Sequence, residues 1–210
     1  METQPMDSEK FLIVVGRQFG SGGRQIGRML ARELGVKYYD KTLMSEAAKR
    51  LGYSAELFER ADEKRPSFLR SLLWFSYGAS SDASESSQMS PEDMYRFQSE
   101  VIQSICEKES CVIVGRTADY VMRHHPRMVS IFLHAPADDR ARRVVARGET
   151  DSLRDAVELV KKRDKARESY YNYFTNRHWG RADNYHLCVD SSRTTPEAIL
   201  SMVKSMLHIE

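Results

Sequence analysis

Apolar residues fall along this chain in short runs that alternate with stretches of helical spacing. Residues 11–15 (FLIVV) are a continuous apolar run of strand length. Ile26, Leu30 and Leu34 then recur at every fourth position and Gly35 closes the pattern, which predicts a helix with one buried face. Residues 36–39 predict a second short strand, and 42–51 a helix. The second half repeats the alternation. Strands are predicted at 111–114, 129–133 and 185–189. Helices are predicted at 91–108, from just after Pro136 to about Arg147, at 153–174 and at 196–207. Pro91 suits the first turn of its helix, where a missing N–H costs nothing. Residues 76–91 are rich in Ser, Asp and Glu without apolar period, and predict a loop. Strands separated by helices require crossover connections, so the pattern predicts an α/β fold with a parallel sheet covered on both faces.

Composition narrows this picture. The 210 residues suit one domain, and 41% hydrophobic with 30% charged residues is a globular balance. No apolar run approaches the length of a bilayer span, so no membrane partner is expected. The first ten residues are polar and acidic, unlike a secretory leader. A net charge of +2 gives no electrostatic case for nucleic acid. Cys106, Cys111 and Cys188 lack metal-ligand spacing, and so do the six histidines. Reduced thiols in a cytoplasmic protein, and no structural metal site, are the expectation.

Between the first strand and the first helix lies Gly16-Arg17-Gln18-Phe19-Gly20-Ser21-Gly22-Gly23. Glycine permits positive φ and close approach of backbone to a ligand. Successive N–H groups at a helix start can then surround a phosphate. A tight turn that binds nothing is the plainer alternative; the flanking strand and helix favour phosphate. Against the phosphate-loop pattern G-x-x-x-x-G-K-[ST], Gly20-Ser21-Gly22 overlays the G-x-G portion. Gly23 then stands at the lysine position, and Arg24 and Gln25 follow where small or hydroxyl residues are usual. The expected nucleotide-binding set is Gly20, Ser21, Gly22, Gly23, Arg24 and Gln25. Arg24, with Arg17 as a second candidate, is expected to supply the missing cation, as a planar fork in place of a point charge.

The run from Gly16 to Gly27 (GRQFGSGGRQIG) resembles the opening of the cytidylate-kinase-like family. So do Tyr38-Tyr39-Asp40-Lys41, Val112-Ile113-Val114-Gly115-Arg116, the segment from Lys162-Arg163-Asp164-Lys165 through Tyr170-Tyr171 to Trp179-Gly180, and Asp190-Ser191-Ser192. The likeness runs in order over nearly the whole chain and is weakest over residues 54–91. It implies a three-layer α/β/α P-loop kinase fold spanning residues 1–210. It further implies a five-stranded parallel sheet, a helical nucleotide-binding insert at about 42–108 and a lid at about 150–182. It implies transfer of the γ-phosphoryl of ATP to CMP or dCMP with Mg2+, so that the partners are nucleotide substrates. A nucleotide-binding module of little activity and a kinase for another small acceptor are the alternatives.

Phosphoryl transfer asks a protein mainly to position groups and to stabilise negative charge, so several arginines should converge on one point. Arg116 directly follows a buried strand, at the end where parallel sheets bind ligands. Arg163 and Arg167 share a helix face at spacing i, i+4, with Asp164 placed to orient one of them. These three, with Arg24, are the expected catalytic groups of the lid and turn. Asp40 ends the second strand, where it would bind substrate or cap the next helix. The chain more distantly resembles classical cytidylate kinases, where an arginine at the Arg116 place contacts the acceptor phosphate and an aspartate usually follows directly. Here Thr117 follows and Asp119 lies two further on, so Asp119 and Lys41 complete the expected acceptor set. The basic run Arg140, Arg142, Arg143 and Arg147 scatters around a helix and is expected on the surface, with approach of Arg140 or Arg143 to the donor nucleotide as the alternative. The aromatics from Tyr170 to Trp179 are expected mainly to pack the lid against the body.

Overall fold

The computed structural model describes residues 10–40 and 91–209. Five strands, β1 (Leu12–Arg17), β2 (Lys37–Tyr39), β3 (Cys111–Val114), β4 (Met128–His134) and β5 (Leu187–Asp190), form one parallel sheet in the order β2-β3-β1-β4-β5. Six described helices join them: α1 (Gly23–Glu33), α2 (Pro91–Lys108), α3 (Ala118–Val121), α4 (Ala137–Ala146), α5 (Leu153–Thr175) and α6 (Pro196–Leu207). The chain leaves β1 toward β2 on one side and returns past it to β4 on the other. The carboxyl end of β1 is therefore a topological switch point, where open α/β sheets bind ligands.

The strands alternate their side chains between two layers. Leu12 and Val14 join Val101, Ile102 and Ile105 of α2 on one face. Ile13 and Val15 join Ile26 and Leu30 of α1, and Ile199 and Val203 of α6, on the other. Fully burying one such aliphatic side chain stabilises the fold by about 1.5–3 kcal/mol. A third small cluster, Ala141, Val144, Ala156 and Val160, fastens α4 to α5. The Gly27 position lets α1 lie close on the sheet, since a Cβ there would meet Val114 Cγ2 at 2.6 Å.

Helix ends follow local chemistry. The Ser152 hydroxyl accepts from Asp155 N at 3.1 Å and starts α5. Thr195 does the same for Ala198 N at 3.2 Å, with Pro196 in the first turn of α6. Most expected elements lie within two residues of the observed ones. Two differences have physical causes. Strand β1 runs on to Arg17 because Gly16 and Arg17 pair with Phe132 and Leu133 of β4. The last strand begins at Leu187, not 185, because Tyr185 N is taken by Ala182 O in a 3-10 turn. The expected helix at 42–51, the expected loop over residues 76–90, Lys41 and most of the insert lie outside the described residues.

Candidate active site

The turn after β1 is held from beneath. Gln18 N donates to Leu133 O at 2.9 Å, and Ala135 N donates to Gln18 Oε1 at 3.2 Å. The buried Ser21 hydroxyl donates to Gln18 O at 2.9 Å. Ser191, beyond β5, donates its hydroxyl to Ser21 O at 2.8 Å and is itself held by Arg143. Gly20 has φ +83° and packs so tightly on α4 that a Cβ would lie 2.8 Å from Arg140 O. The main-chain carbonyls of the turn are thus engaged inward. Among the described residues, the N–H groups of Gly20, Gly22, Gly23, Arg24 and Gln25 have no backbone acceptor, and Gly22 makes no side-chain cap to α1. Several aligned, unclaimed donors at a helix start form an anion cradle.

A cleft of about 230 Å³ opens beside this cradle. Among the described residues, Arg17, Arg24, Arg116, Arg163 and Arg167 line it, against two acids, Asp119 and Glu149. Crowding of like charge and burial show in the titration. Burial, then Arg24 and Arg116, push the Arg17 guanidinium down to about 10. Burial, then Arg17, hold Arg167 well below its ordinary value, and burial lowers Arg163 as well. A site that disfavours its own cations in this way is stabilised by a polyanion.

Expected groups from distant parts of the chain meet here. Arg24 comes from the first turn of α1, and is exposed. Arg116 comes from the end of β3, where Gly115, Arg116 and Thr117 take three successive positive φ values of +80°, +64° and +53°. For arginine and β-branched threonine this backbone costs about 1–3 kcal/mol each. It is held by Gln98 of α2, which accepts from Arg116 Nη1 at 3.1 Å and donates to Arg116 O at 3.2 Å. Arg163 and Arg167 come from α5; Arg167 Nη1 donates to Arg17 O at 3.1 Å and so touches the turn. Phe19 presents its ring to three guanidiniums, Arg167 at 5.3 Å and Arg147 and Arg163 at 5.8 Å.

Other residues sit differently from expectation. Asp164 does not chiefly orient an arginine of its own helix, since Arg167 stands 4.0 Å away. Its carboxylate accepts from Phe19 N at 2.6 Å and pairs with Arg140 Nη1. Arg140 in turn donates to Phe19 O and Ala135 O at 3.1 and 2.9 Å. The surface position expected for Arg140 is corrected: it is buried, because an ion pair and two carbonyls compensate its charge there. Asp40 is buried at the end of β2, 3.9 Å from Arg28 and accepting from Tyr38 OH at 3.3 Å, and does not line the cleft. Gln25 is exposed and does not line the cleft either. Asp119 does line the cleft; its Oδ2 accepts from Tyr171 OH at 2.7 Å, and burial raises the carboxyl to about 6. Tyr170, Tyr171, Tyr185 and Trp179 complete the wall. They also pack the structure: Phe132 lies 5.3 Å from Trp179 and 4.9 Å from Tyr185, ring to ring.

A glycine-rich turn feeding α1 from the central strand, with arginines converging from β3 and a late helix, is the architecture of a P-loop kinase. The chain belongs to the cytidylate kinase-like family, whose model matches residues 12–193. Its class of activity is that of an ATP-dependent phosphotransferase. It is 25% identical to the cytidylate kinase of Methanosarcina barkeri over 186 residues, 88% of this chain and 89% of that one. The fold superposes on an uncharacterized protein from Eubacterium ventriosum with a TM-score of 0.70 at 25% identity, covering 96% of this chain and all of the other. Shikimate kinase from Bacteroides thetaiotaomicron shares the fold at a TM-score of 0.53 and 13% identity, over 95% and 99% of the two chains.

Proposed function

We propose that this protein is a nucleoside-monophosphate kinase that transfers the γ-phosphoryl of ATP to CMP or dCMP. The observation that carries the reading is the set of unclaimed N–H groups at Gly20, Gly22, Gly23, Arg24 and Gln25, next to a cleft lined by five arginines that include Arg24. ATP phosphates fit the cradle, because aligned donors and the α1 N-terminus favour anions. Magnesium would accompany those phosphates. Arg24 replaces the hydroxyl of the usual turn, and among the described residues no three acidic, His or Cys side chains gather to hold a metal. No step is therefore assigned to a protein-held ion.

The remaining parts divide by position. Arg116 at the end of β3 is placed for the acceptor phosphate. Asp119, with Tyr171 fixing one oxygen, faces the acceptor side and suits an amino-bearing base. Arg163 and Arg167 reach the space between cradle and acceptor from α5. An oxygen of the acceptor phosphate attacks the γ-phosphorus. The bond from that phosphorus to the β–γ bridging oxygen breaks, and ADP leaves with the electron pair. The attacking oxygen is already anionic at neutral pH, so no general base is required. Charge on the phosphoryl in flight is what the arginines stabilise.

The test incubates the protein with ATP, Mg2+ and each nucleoside monophosphate and measures the diphosphate formed. CDP or dCDP formed in preference to the others supports the reading. Turnover with shikimate-sized or other small acceptors only would reassign the acceptor. ATP binding without turnover of any acceptor would mark a nucleotide-binding module.

A further inference from the structure

The turn lacks the lysine of the phosphate-loop pattern, and Gly23 stands in its place. This glycine is not required by its backbone: Gly20 and Gly22 have positive φ, whereas Gly23 does not and begins α1 in ordinary helical conformation. Space is what forbids a side chain there. A Cβ on Gly23 would lie 2.7 Å from both Cβ and Cγ of Arg17. The Arg17 stem therefore crosses the place that a lysine stem would leave from. Counting back from Gly22 and Gly23 as the pattern's G-K, Arg17 is the first position of G-x-x-x-x-G-K, normally glycine. Glycine and cation have exchanged places across the turn.

The head of Arg17 is accommodated by a second glycine. A Cβ on Gly115 would meet Arg17 Nη1 at 2.0 Å, closer than any side chain tolerates. Stem and head thus each run over a glycine, from the end of β1 to the end of β3. The guanidinium comes to rest on the cleft wall between Arg24 and Arg116. Among the described residues no hydrogen bond or ion pair engages it. Asp40 and Tyr38 offset the surrounding positive charge only in part. Arg167 fixes the backbone of the same residue through the Arg17 carbonyl.

We propose that Arg17 is the phosphate-loop cation of this enzyme, contacting the ATP polyphosphate in the role of the absent lysine, and that Gly23 is glycine to make room for its stem. The assignment rests on the kinase reading for its rate consequences, but not for its binding consequence. It also reverses the order in which the sequence ranks the two arginines. Arg24 is exposed on the first turn of α1, whereas Arg17 is locked into one path by two glycines. An arginine fork held in one geometry can bridge two phosphate oxygens.

The experiment measures ATP affinity by titration calorimetry and turnover in the unaltered chain, in Arg17→Gln and in Arg17→Gly/Gly23→Lys, with melting temperature as the check on folding. Arg17→Gln keeps a stem over Gly23 and removes the charge. It is expected to weaken ATP about 10- to 100-fold and to lower kcat about 100-fold. The double change clears the stem and returns lysine to its usual position; ATP affinity is expected to recover to within about tenfold of the parent. A folded Arg17→Gln with parental affinity and rate overturns the proposal. So does a folded double variant that binds no better than Arg17→Gln, since Arg17 would then act by shape. Should Arg17→Gln not fold, the affinity of the double variant decides alone. If the parent binds ATP through Arg17 but phosphorylates no monophosphate, the kinase assignment falls and Arg17 stands. If the parent binds no ATP, both fall.

Discussion

Arg140 and Asp164 form a shielded ion pair, with side chains only 8% and 16% exposed, and together they grip both main-chain polar groups of Phe19. Asp164 takes the N–H and Arg140 the carbonyl. The pair therefore ties α4 and α5 to the tip of the glycine-rich turn. Removing one partner of such a pair leaves an uncompensated charge, which costs about 3–5 kcal/mol. Asp164→Asn is expected to lower stability by about that amount and to weaken ATP binding in the molecules that remain folded. Chemical denaturation and nucleotide titration read the two effects. A variant of parental stability would show that the pair contributes no more than an exposed one.

Arg163 has a different balance. It is half-buried in the cleft wall and is held below its ordinary titration range by burial and by Arg24, while Glu149 opposes the shift. Arg163→Ala is expected to lower kcat about 100- to 1000-fold while the melting temperature moves by a few degrees at most. A loss confined to KM would mean that Arg163 binds ground state and transition state alike.

Much of this arrangement was legible in the sequence, and the exceptions have a common cause. Arg116, Arg163 and Arg167 could be read because strand ends and i, i+4 spacing are local patterns. The helices at Pro91–Lys108 and Pro196–Leu207 could be read because proline and apolar spacing mark them. Arg140 was hidden among Arg142, Arg143 and Arg147; only the arrival of Asp164, 24 residues later, selects it. Helix α3 was missed because four residues carry no period, and because it follows two non-glycine residues of positive φ that no local rule predicts. The exchange between Arg17 and Gly23 did leave a signal, a glycine where a cation belongs and a cation where glycine belongs. Its meaning depends on a contact across the turn.

Phe19 offers a test of how the arginines are held before a nucleotide arrives. Its ring lies under Arg147, Arg163 and Arg167 and its edge packs with the α4–α5 cluster. Phe19→Leu keeps most of the apolar contact and removes the electron-rich face. Cation–π contacts of this kind contribute about 0.5–2 kcal/mol, so kcat/KM is expected to fall about 3- to 30-fold with little loss of stability. Equal kcat/KM for the two proteins would show that the arginines are positioned by the ligand alone.

Asp119 gives the chain a pH dependence of definite sign. Burial raises its carboxyl from 3.8 to about 6, against the opposing effects of the Tyr171 hydroxyl and of Arg177. Burial, and then the nearby Asp119 carboxylate, push the Tyr171 hydroxyl up, so the pair carries at most one negative charge near neutrality. Between about pH 4 and pH 6 the folded chain holds a proton that the unfolded chain has released. Raising the pH through this window therefore favours unfolding, and above it the contribution is level. In Asp119→Asn the group cannot titrate, while the contact with Tyr171 is kept. The stability of the parent relative to this variant is expected to decline by about 2 kcal/mol from pH 4 to pH 6.5, with other titrating groups cancelling in the difference. Denaturant midpoints across that range measure it. A difference that rises with pH would show that the folded state stabilises the carboxylate, as it would if Arg177 rather than burial governed the site.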